Sequence, residues 1–191
     1  MTHLYLIRHG QTDWNIEGRW QGHADVPLNN RGREQAAQIA HSLARTGLKA
    51  IYSSDLIRAR DTAEALAETT GLPVRYDKRL REIHQGEWQG LLVTEIQARY
   101  GNQFQRRREN PMTVAPPGGE TVLQVRERVV SAVEDVVRKH PYERVAIVSH
   151  GFALAVIQVH YLKRPIDQVW DMIPQNDEWR ELEILAGPST S

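Results

Sequence analysis

The stretch His3-Leu4-Tyr5-Leu6-Ile7-Arg8-His9-Gly10 decides the fold. His3 to Ile7 is a short, mostly apolar run, which reads as a buried strand. It ends abruptly on a cation, an imidazole and a glycine. A similar pattern returns much later: Arg144 to Val148 is apolar after its first residue and runs into Ser149-His150-Gly151. Ala50 to Ser53 is a shorter strand of the same kind, followed by Ser54-Asp55-Leu56-Ile57-Arg58.

Helical patterns separate these strands. Arg31 to Arg45 carries an apolar stripe of Ala36, Ala37, Ile39, Ala40, Leu43 and Ala44, with Asn30 as N-cap and Gly47 as its stop. Ser54 is placed to cap a helix over Asp55 to Thr69, whose apolar face is Leu56, Ala59, Ala63 and Leu66 and which Gly71 and Pro73 end. Thr121 opens a long helix, with Gln124 completing a capping box and a row of valines from Val122 to Val137 facing inward. Gly151 to Tyr161 is the helix after the third strand. Pro73 to Tyr76 and Leu182 to Leu185 read as short further strands. Between Glu82 and Gly119 the chain is less regular, with one helix near Val93 to Tyr100 and a loop at Pro116 to Gly119. Strands alternating with helices predict an α/β fold, a three-layer α/β/α sandwich around a mostly parallel central sheet. No linker is visible, so residues 1–191 are read as one domain, with a lid-like insertion around 83–119.

Composition narrows the function classes. The 191 residues carry 24 basic and 24 acidic side chains, so no global field draws the chain to nucleic acid or to an anionic membrane. There are no cysteines, which excludes disulfide frameworks and thiolate metal sites. Leu4 to Ile7 is too short for a signal-peptide core, and polar residues interrupt Val145 to Leu162, so a cytoplasmic location is expected. No His-Glu-x-x-His pattern, acidic ligand loop or P-loop occurs, and no metal or other cofactor is expected.

In open α/β sheets ligands bind beyond the carboxyl ends of the strands. Arg8 and His9, Arg58, and His150 all fall just there. Guanidinium groups bind phosphate oxygens in pairs and stay charged at working pH, and a neutral imidazole is a competent nucleophile. Gly10 and Gly151 allow close backbone approach, and helix starts after Ser54 and Gly151 offer N–H groups to an anion. A departing alkoxide needs a proton. Glu82, in Leu80-Arg81-Glu82-Ile83-His84, is the best candidate acid; the alternative for it is a surface pair with Arg79 or Arg81.

These blocks resemble a known family. Leu6-Ile7-Arg8-His9-Gly10-Gln11-Thr12-Asp13-Trp14-Asn15 is similar to the signature of the histidine phosphatase superfamily, the phosphoglycerate-mutase-like proteins. Ser53 to Ala63, Leu80-Arg81-Glu82, Gly86 to Gly90, Pro117 to Thr121 and Val148 to Gly151 continue the resemblance in the family's order. The resemblance implies that His9 is the phosphorylated nucleophile and that Arg8, Arg58 and His150 hold the phosphoryl group. It makes Glu82 the proton donor, then the activator of water. It adds Asn15, Gln21, Gly22 and the Gly151 N–H to the phosphate pocket, and it implies no metal. Gln11 departs from the family's usual Glu, at a position that orients the loop more than it does chemistry.

The expected activity is therefore hydrolysis of small phosphomonoesters. Glu82 leads quickly to Gly86-Glu87-Trp88-Gln89-Gly90, which looks like the phosphatase branch. The alternatives are a cofactor-dependent phosphoglycerate mutase and a non-catalytic binding protein on the same fold. Oligomeric state is left open, with a homodimer as one outcome. His23 and His84 are candidate substrate contacts, whereas His3, His41, His140 and His160 read as surface or core-edge residues. Trp14, Trp20 and Trp88 are expected to wall the pocket, and Trp170 and Trp179 to pack. Arg106-Arg107-Arg108 reads as a solvated helix face, the alternative being a lid that recognises an acidic substrate.

Overall fold

Five strands form one sheet in the order β3-β2-β4-β1-β5: β1 Thr2–Arg8, β2 Ala50–Ser53, β3 Val74–Tyr76, β4 Arg144–Ser149 and β5 Trp179–Ile184. The computed structural model describes residues 1–176 and 178–185. β1 pairs with β4, β4 with β2, and β2 with β3, all parallel; β5 runs antiparallel along the other side of β1.

The pleat explains the two cores. Successive strand residues point to opposite faces. Leu4, Leu6, Ala50, Tyr52, Val145 and Ile147 join one apolar cluster, which α5 (Val122–Lys139) and α6 (Gly151–Tyr161) cover. Tyr5, Ile7, Ile51, Ala146 and Val148 join the other, covered by α2 (Asn30–Leu43) and α3 (Ile57–Thr70). The three expected layers and the mostly parallel sheet are present. A third, smaller cluster of Trp88, Ile96 and Phe104 anchors α4 (Val93–Glu109), and α1 (Asp13–Glu17) is a short turn of helix after β1.

Several boundaries differ from the sequence reading, each for a local reason. Asn29, not Asn30, caps α2 by accepting from the Gly32 N–H at 2.8 Å, and the helix ends at Ala44 rather than Gly47. Ser54 does not cap α3. That helix begins at Ile57, whose N–H is taken by the Asp25 carboxylate at 2.6 Å. The helix expected near Val93 to Tyr100 does not end there; the backbone kinks at Tyr100 and α4 continues to Glu109. β5 starts at Trp179, before Leu182, because an antiparallel edge strand needs only one apolar face, and Leu182 and Ile184 supply it. The capping box of Thr121 and Gln124 forms as expected.

Candidate active site

Strand pairing sets the level of the site. Arg8 lies opposite Ser149, and Ser53 opposite Val148. Two bonds carry the ladder one residue further: His9 N–H to the Ser149 carbonyl and Ser54 N–H to the Val148 carbonyl, both 3.0 Å. His9, Ser54 and His150 therefore leave the sheet at the same height. Arg58 reaches them from the first turn of α3.

His9 is almost wholly buried. Its Nδ1 lies 2.7 Å from the Gly10 carbonyl oxygen. A carbonyl only accepts, so Nδ1 carries the proton and Nε2 is left with a free lone pair. Burial, then the charges of Arg58 and Arg8, holds the His9 pKa well below its ordinary 6.5, so the ring is neutral at neutral pH. His150 is fully buried with its ring 5.1 Å from that of His9, and its Nε2 pairs with the Ser54 hydroxyl at 2.8 Å. Burial, then Arg58 and His9, pushes its pKa down too. Ser54, read from sequence as a helix cap, thus orients a site histidine instead.

The two arginines are held by their ends. Arg58 donates from its Nη atoms to the carbonyls of Ala24 and Gly22, at 2.7 and 2.8 Å. Arg8 donates from Nη1 to the Pro174 carbonyl at 2.6 Å. In both, Nε is buried and has no partner among the described residues. Burial lowers the Arg58 pKa to about 10, which leaves it charged at neutral pH. A buried cation with an idle donor is costly unless an anion arrives to use it. Gly151 lets the Arg8 guanidinium in: a side chain there would lie 3.3 Å from Arg8 Cζ. Gly10 has a different role from the one read in sequence. A Cβ at that position would lie 2.2 Å from the Gly32 carbonyl oxygen, so its smallness serves packing against the start of α2.

Glu82 does not pair with Arg79 or Arg81. Arg79 binds Asp77 and Asp135, and Arg81 binds Asp55 through two bonds of 2.6 Å. The Glu82 carboxylate instead accepts from the N–H groups of Phe152 and Ala153, both at 3.1 Å, in the first turn of α6. The anion-binding end of that helix is thus occupied by a carboxylate from the chain itself.

These groups line a cavity of about 630 Å³. Arg8, His9, Asn15, Gln21, Gly22, Arg58, Glu82 and Gly151 all face it, as the sequence reading had brought them together. The Asn15 carbonyl is engaged by the N–H and hydroxyl of Thr12, each at 3.0 Å, which turns its amide outward. His150 lies behind His9 and does not itself line the cavity. Nor do His23 and His84, whose rings meet edge to face with centroids 4.5 Å apart; His23 Nε2 donates to the Glu82 carbonyl at 2.7 Å. Of the tryptophans, Trp20 and Trp170 line the cavity, while Trp88 is fully buried behind it. Trp170, read as a packing residue, stacks on Phe152 at 4.8 Å and stays half-exposed. Trp179 does pack, against Tyr5.

The basic run also departs from its reading as a solvated face. Arg107 and Arg108 line the cavity, and Arg107 is only 6 % exposed with a buried, unpartnered Nε. Its sequence signal was hidden by its neighbours: three successive arginines look alike until the kinked helix shows which one turns inward. Among the described residues, the one group with metal-ligand spacing is His3, Glu181 and Glu183, at the opposite end of β1 from the site.

A family model for the histidine phosphatase superfamily, branch 1, matches residues 4–189. The chain belongs to that superfamily and is a phosphatase of its α/β fold. Phosphoserine phosphatase 1 of Hydrogenobacter thermophilus is 37 % identical over 170 residues, covering 89 % of this chain and 81 % of the relative. Glucosyl-3-phosphoglycerate phosphatase of Mycobacterium tuberculosis is 41 % identical over 197 residues, covering 98 % and 87 %. A probable phosphoglycerate mutase of Escherichia fergusonii is 36 % identical over 157 residues, covering 82 % and 73 %. Among solved structures, mycobacterial glucosyl-3-phosphoglycerate phosphatase complexed with VO3 superposes with a TM-score of 0.86 at 38 % identity, covering 95 % of this chain and 90 % of that one. No helix among the described residues is long and apolar enough to cross a membrane.

Proposed function

We propose that this chain hydrolyses small phosphomonoesters through a phosphohistidine on Nε2 of His9, with no metal ion, and that it does so in the cytoplasm, in keeping with its lack of cysteines. One observation carries the reading: a neutral, tautomer-locked imidazole stands beside two buried guanidinium groups whose Nε donors are idle. Phosphoryl transfer mainly needs positioning and neutralisation of the equatorial oxygens. Arg8 and Arg58 supply the charge that a metal ion would otherwise bring. His9 Nε2 forms a bond to phosphorus as the ester P–O bond breaks, and Glu82 protonates the departing oxygen. Glu82 then takes a proton from water, which attacks phosphorus and returns His9 to its starting form. The Asn15 and Gln21 amides and the Gly151 N–H hold the phosphoryl group, while His150, expected from the sequence to hold it too, stands behind His9 with its Nε2 on the Ser54 hydroxyl.

Within this class the cavity favours a substrate with a second anionic group. Arg107, buried and unpartnered, faces the same space from α4, which acts as a lid over the site within the 83–119 insertion. Phosphoserine and glucosyl-3-phosphoglycerate both carry a carboxylate beside the phosphate. That feature also suits the second reading, a phosphoglycerate mutase. The separating experiment supplies 3-phosphoglycerate to EDTA-treated protein, with and without 2,3-bisphosphoglycerate, beside a panel of phosphomonoesters. Release of inorganic phosphate is expected across part of the panel. Formation of 2-phosphoglycerate without phosphate release would establish the mutase instead.

A further inference from the structure

We infer that Arg128 and Glu120 form a positioning pair that sets the place of the Glu82 carboxyl; this rests on the reading of Glu82 as proton donor. Arg128, on α5, is largely buried, and every N–H of its guanidinium is engaged. Nη1 donates to the carbonyls of Arg79 at 2.8 Å and Arg81 at 2.5 Å. Nη2 donates to the Glu82 carbonyl at 2.8 Å and to Glu120 at 2.7 Å. Nε completes a two-pronged pair with Glu120 at 2.8 Å. Its saturation sets it apart from Arg8, Arg58 and Arg107, whose idle Nε donors await a ligand.

Glu120 works on the other side of the acid. Its carboxylate accepts from the His84 N–H at 2.8 Å, while its own N–H donates to the His84 carbonyl at 2.9 Å. Burial pushes the Glu120 carboxyl up, but the hydrogen bonds from Arg128 outweigh it, so the group stays ionised at neutral pH. The segment Arg79 to His84 is therefore held by one guanidinium–carboxylate pair along its backbone, leaving the Glu82 side chain to reach α6. His23 adds a second donor to the Glu82 carbonyl. Leu80 and Ile83 are buried in the core and the Ser149 hydroxyl holds the Leu80 carbonyl, but the backbone beside Glu82 itself is held by Arg128, Glu120 and His23. Charge-assisted bonds to carbonyls are strong and directional, which suits them to that task.

A purely structural pair and a positioning pair differ in what they do to the leaving group. Glu120→Gln and Arg128→Lys are compared with the parent and with Glu82→Gln, on an alkyl phosphate and on p-nitrophenyl phosphate, whose phenolate departs almost unaided. In both pair variants kcat on the alkyl phosphate is expected to fall about tenfold or more beyond the loss on the nitrophenyl ester, within the range a placed proton donor contributes. Vanadate inhibition, which reads the phosphate pocket, stays unchanged. Adding Glu120→Gln to Glu82→Gln adds no further discrimination. Equal losses on both esters in Glu120→Gln and Arg128→Lys, with discrimination intact in Glu82→Gln, would overturn the pair alone. No discrimination in Glu82→Gln would overturn the acid assignment and the pair with it. Should Arg128→Lys fail to fold, Glu120→Gln, which keeps the bonds from Arg128 to the three carbonyls, decides the matter by the same ratio.

Discussion

The Nδ1 atom of His9 and the carbonyl oxygen of Gly10 lie 2.7 Å apart, and this one bond assigns the ring nitrogens their parts. Nδ1 holds the proton, and Nε2 is left with the free lone pair that the proposed phosphohistidine needs. His9→Ala is therefore expected to abolish turnover together with acid-labile phosphate on the protein. Mixing with labelled substrate and quenching in alkali reads both; a labelled His9→Ala protein would remove His9 from the mechanism.

Gly10→Ala is expected to damage the site without touching a reacting atom. The new methyl would meet the Gly32 backbone at 2.2 Å, and backbone has little room to yield. Overpacking of this kind costs about 1–3 kcal/mol, and the strain falls on the residue next to His9. Thermal unfolding and kcat should drop together. An unchanged Tm would show that the α2 start can move aside.

Arg58→Ala is expected to weaken vanadate and phosphate inhibition. The lost partner of a buried charge-assisted bond is worth about 1.5–3 kcal/mol, or roughly tenfold to a hundredfold in affinity. Two stranded carbonyls, of Gly22 and Ala24, will also loosen the loop that brings Gln21 to the cavity. Unchanged inhibition constants would place Arg58 outside the pocket.

Arg107→Gln is expected to raise KM for phosphoserine and for phosphoglycerates and to leave p-nitrophenyl phosphate nearly unaffected. Removing an unpaired buried charge also relieves a desolvation cost, so the variant should be at least as stable as the parent. A parallel rise of KM on both substrates would mean that Arg107 reads the phosphate, or nothing.

Acid should destabilise the fold below about pH 6.5. His9, His150 and His23 all have folded pKa values below the ordinary 6.5, the last at about 4 through burial. The unfolded chain binds protons there that the folded chain refuses, so stability is complete above the unfolded pKa and is lost as pH falls towards the folded ones. Each such histidine contributes a slope of about 1.4 kcal/mol per pH unit inside its window. His23→Gln keeps a donor for the Glu82 carbonyl and should remove one proton's slope between about pH 6.5 and 4. Denaturant titrations across that range measure it; an identical slope would mean that His23 titrates normally.

Much of this molecule was legible in its strands. Leu4 to Ile7, Ala50 to Ser53 and Val145 to Val148 are apolar throughout or nearly so, and they are buried on both faces. Their endings placed Arg8, His9 and His150 at one level before any coordinate did so. Less legible was whatever depends on one segment crossing another. Ser54 looks like a cap because caps are local, yet its hydroxyl goes to His150, far along the chain. Glu82 looked equally suited to a neighbouring arginine, and only the distant claims of Asp55, Asp77 and Asp135 on Arg79 and Arg81 release it. The inward turn of Arg107 lies beyond the kink at Tyr100, where Gly101 marks a weak point in the helix but not the direction the next turn takes.

The antiparallel strand β5 has a consequence for how the enzyme comes into being. β1 is flanked by β4 and β5, so both its edges are satisfied only by chain made long after it. The carbonyl of His9 waits for the amide of Asn176, 167 residues later, and the Arg8 guanidinium waits for the Pro174 carbonyl. His9 and Arg8 are thus fully seated only when chain some 166 to 167 residues further on has been made. Until β4 is made, a nascent chain carries β1 as an apolar strand with two open edges, the exposure that chaperones guard against. A fragment ending before Pro174 would carry Arg8, His9, Arg58, Glu82 and His150 and still lack the bonds that Pro174 and Asn176 make to Arg8 and His9.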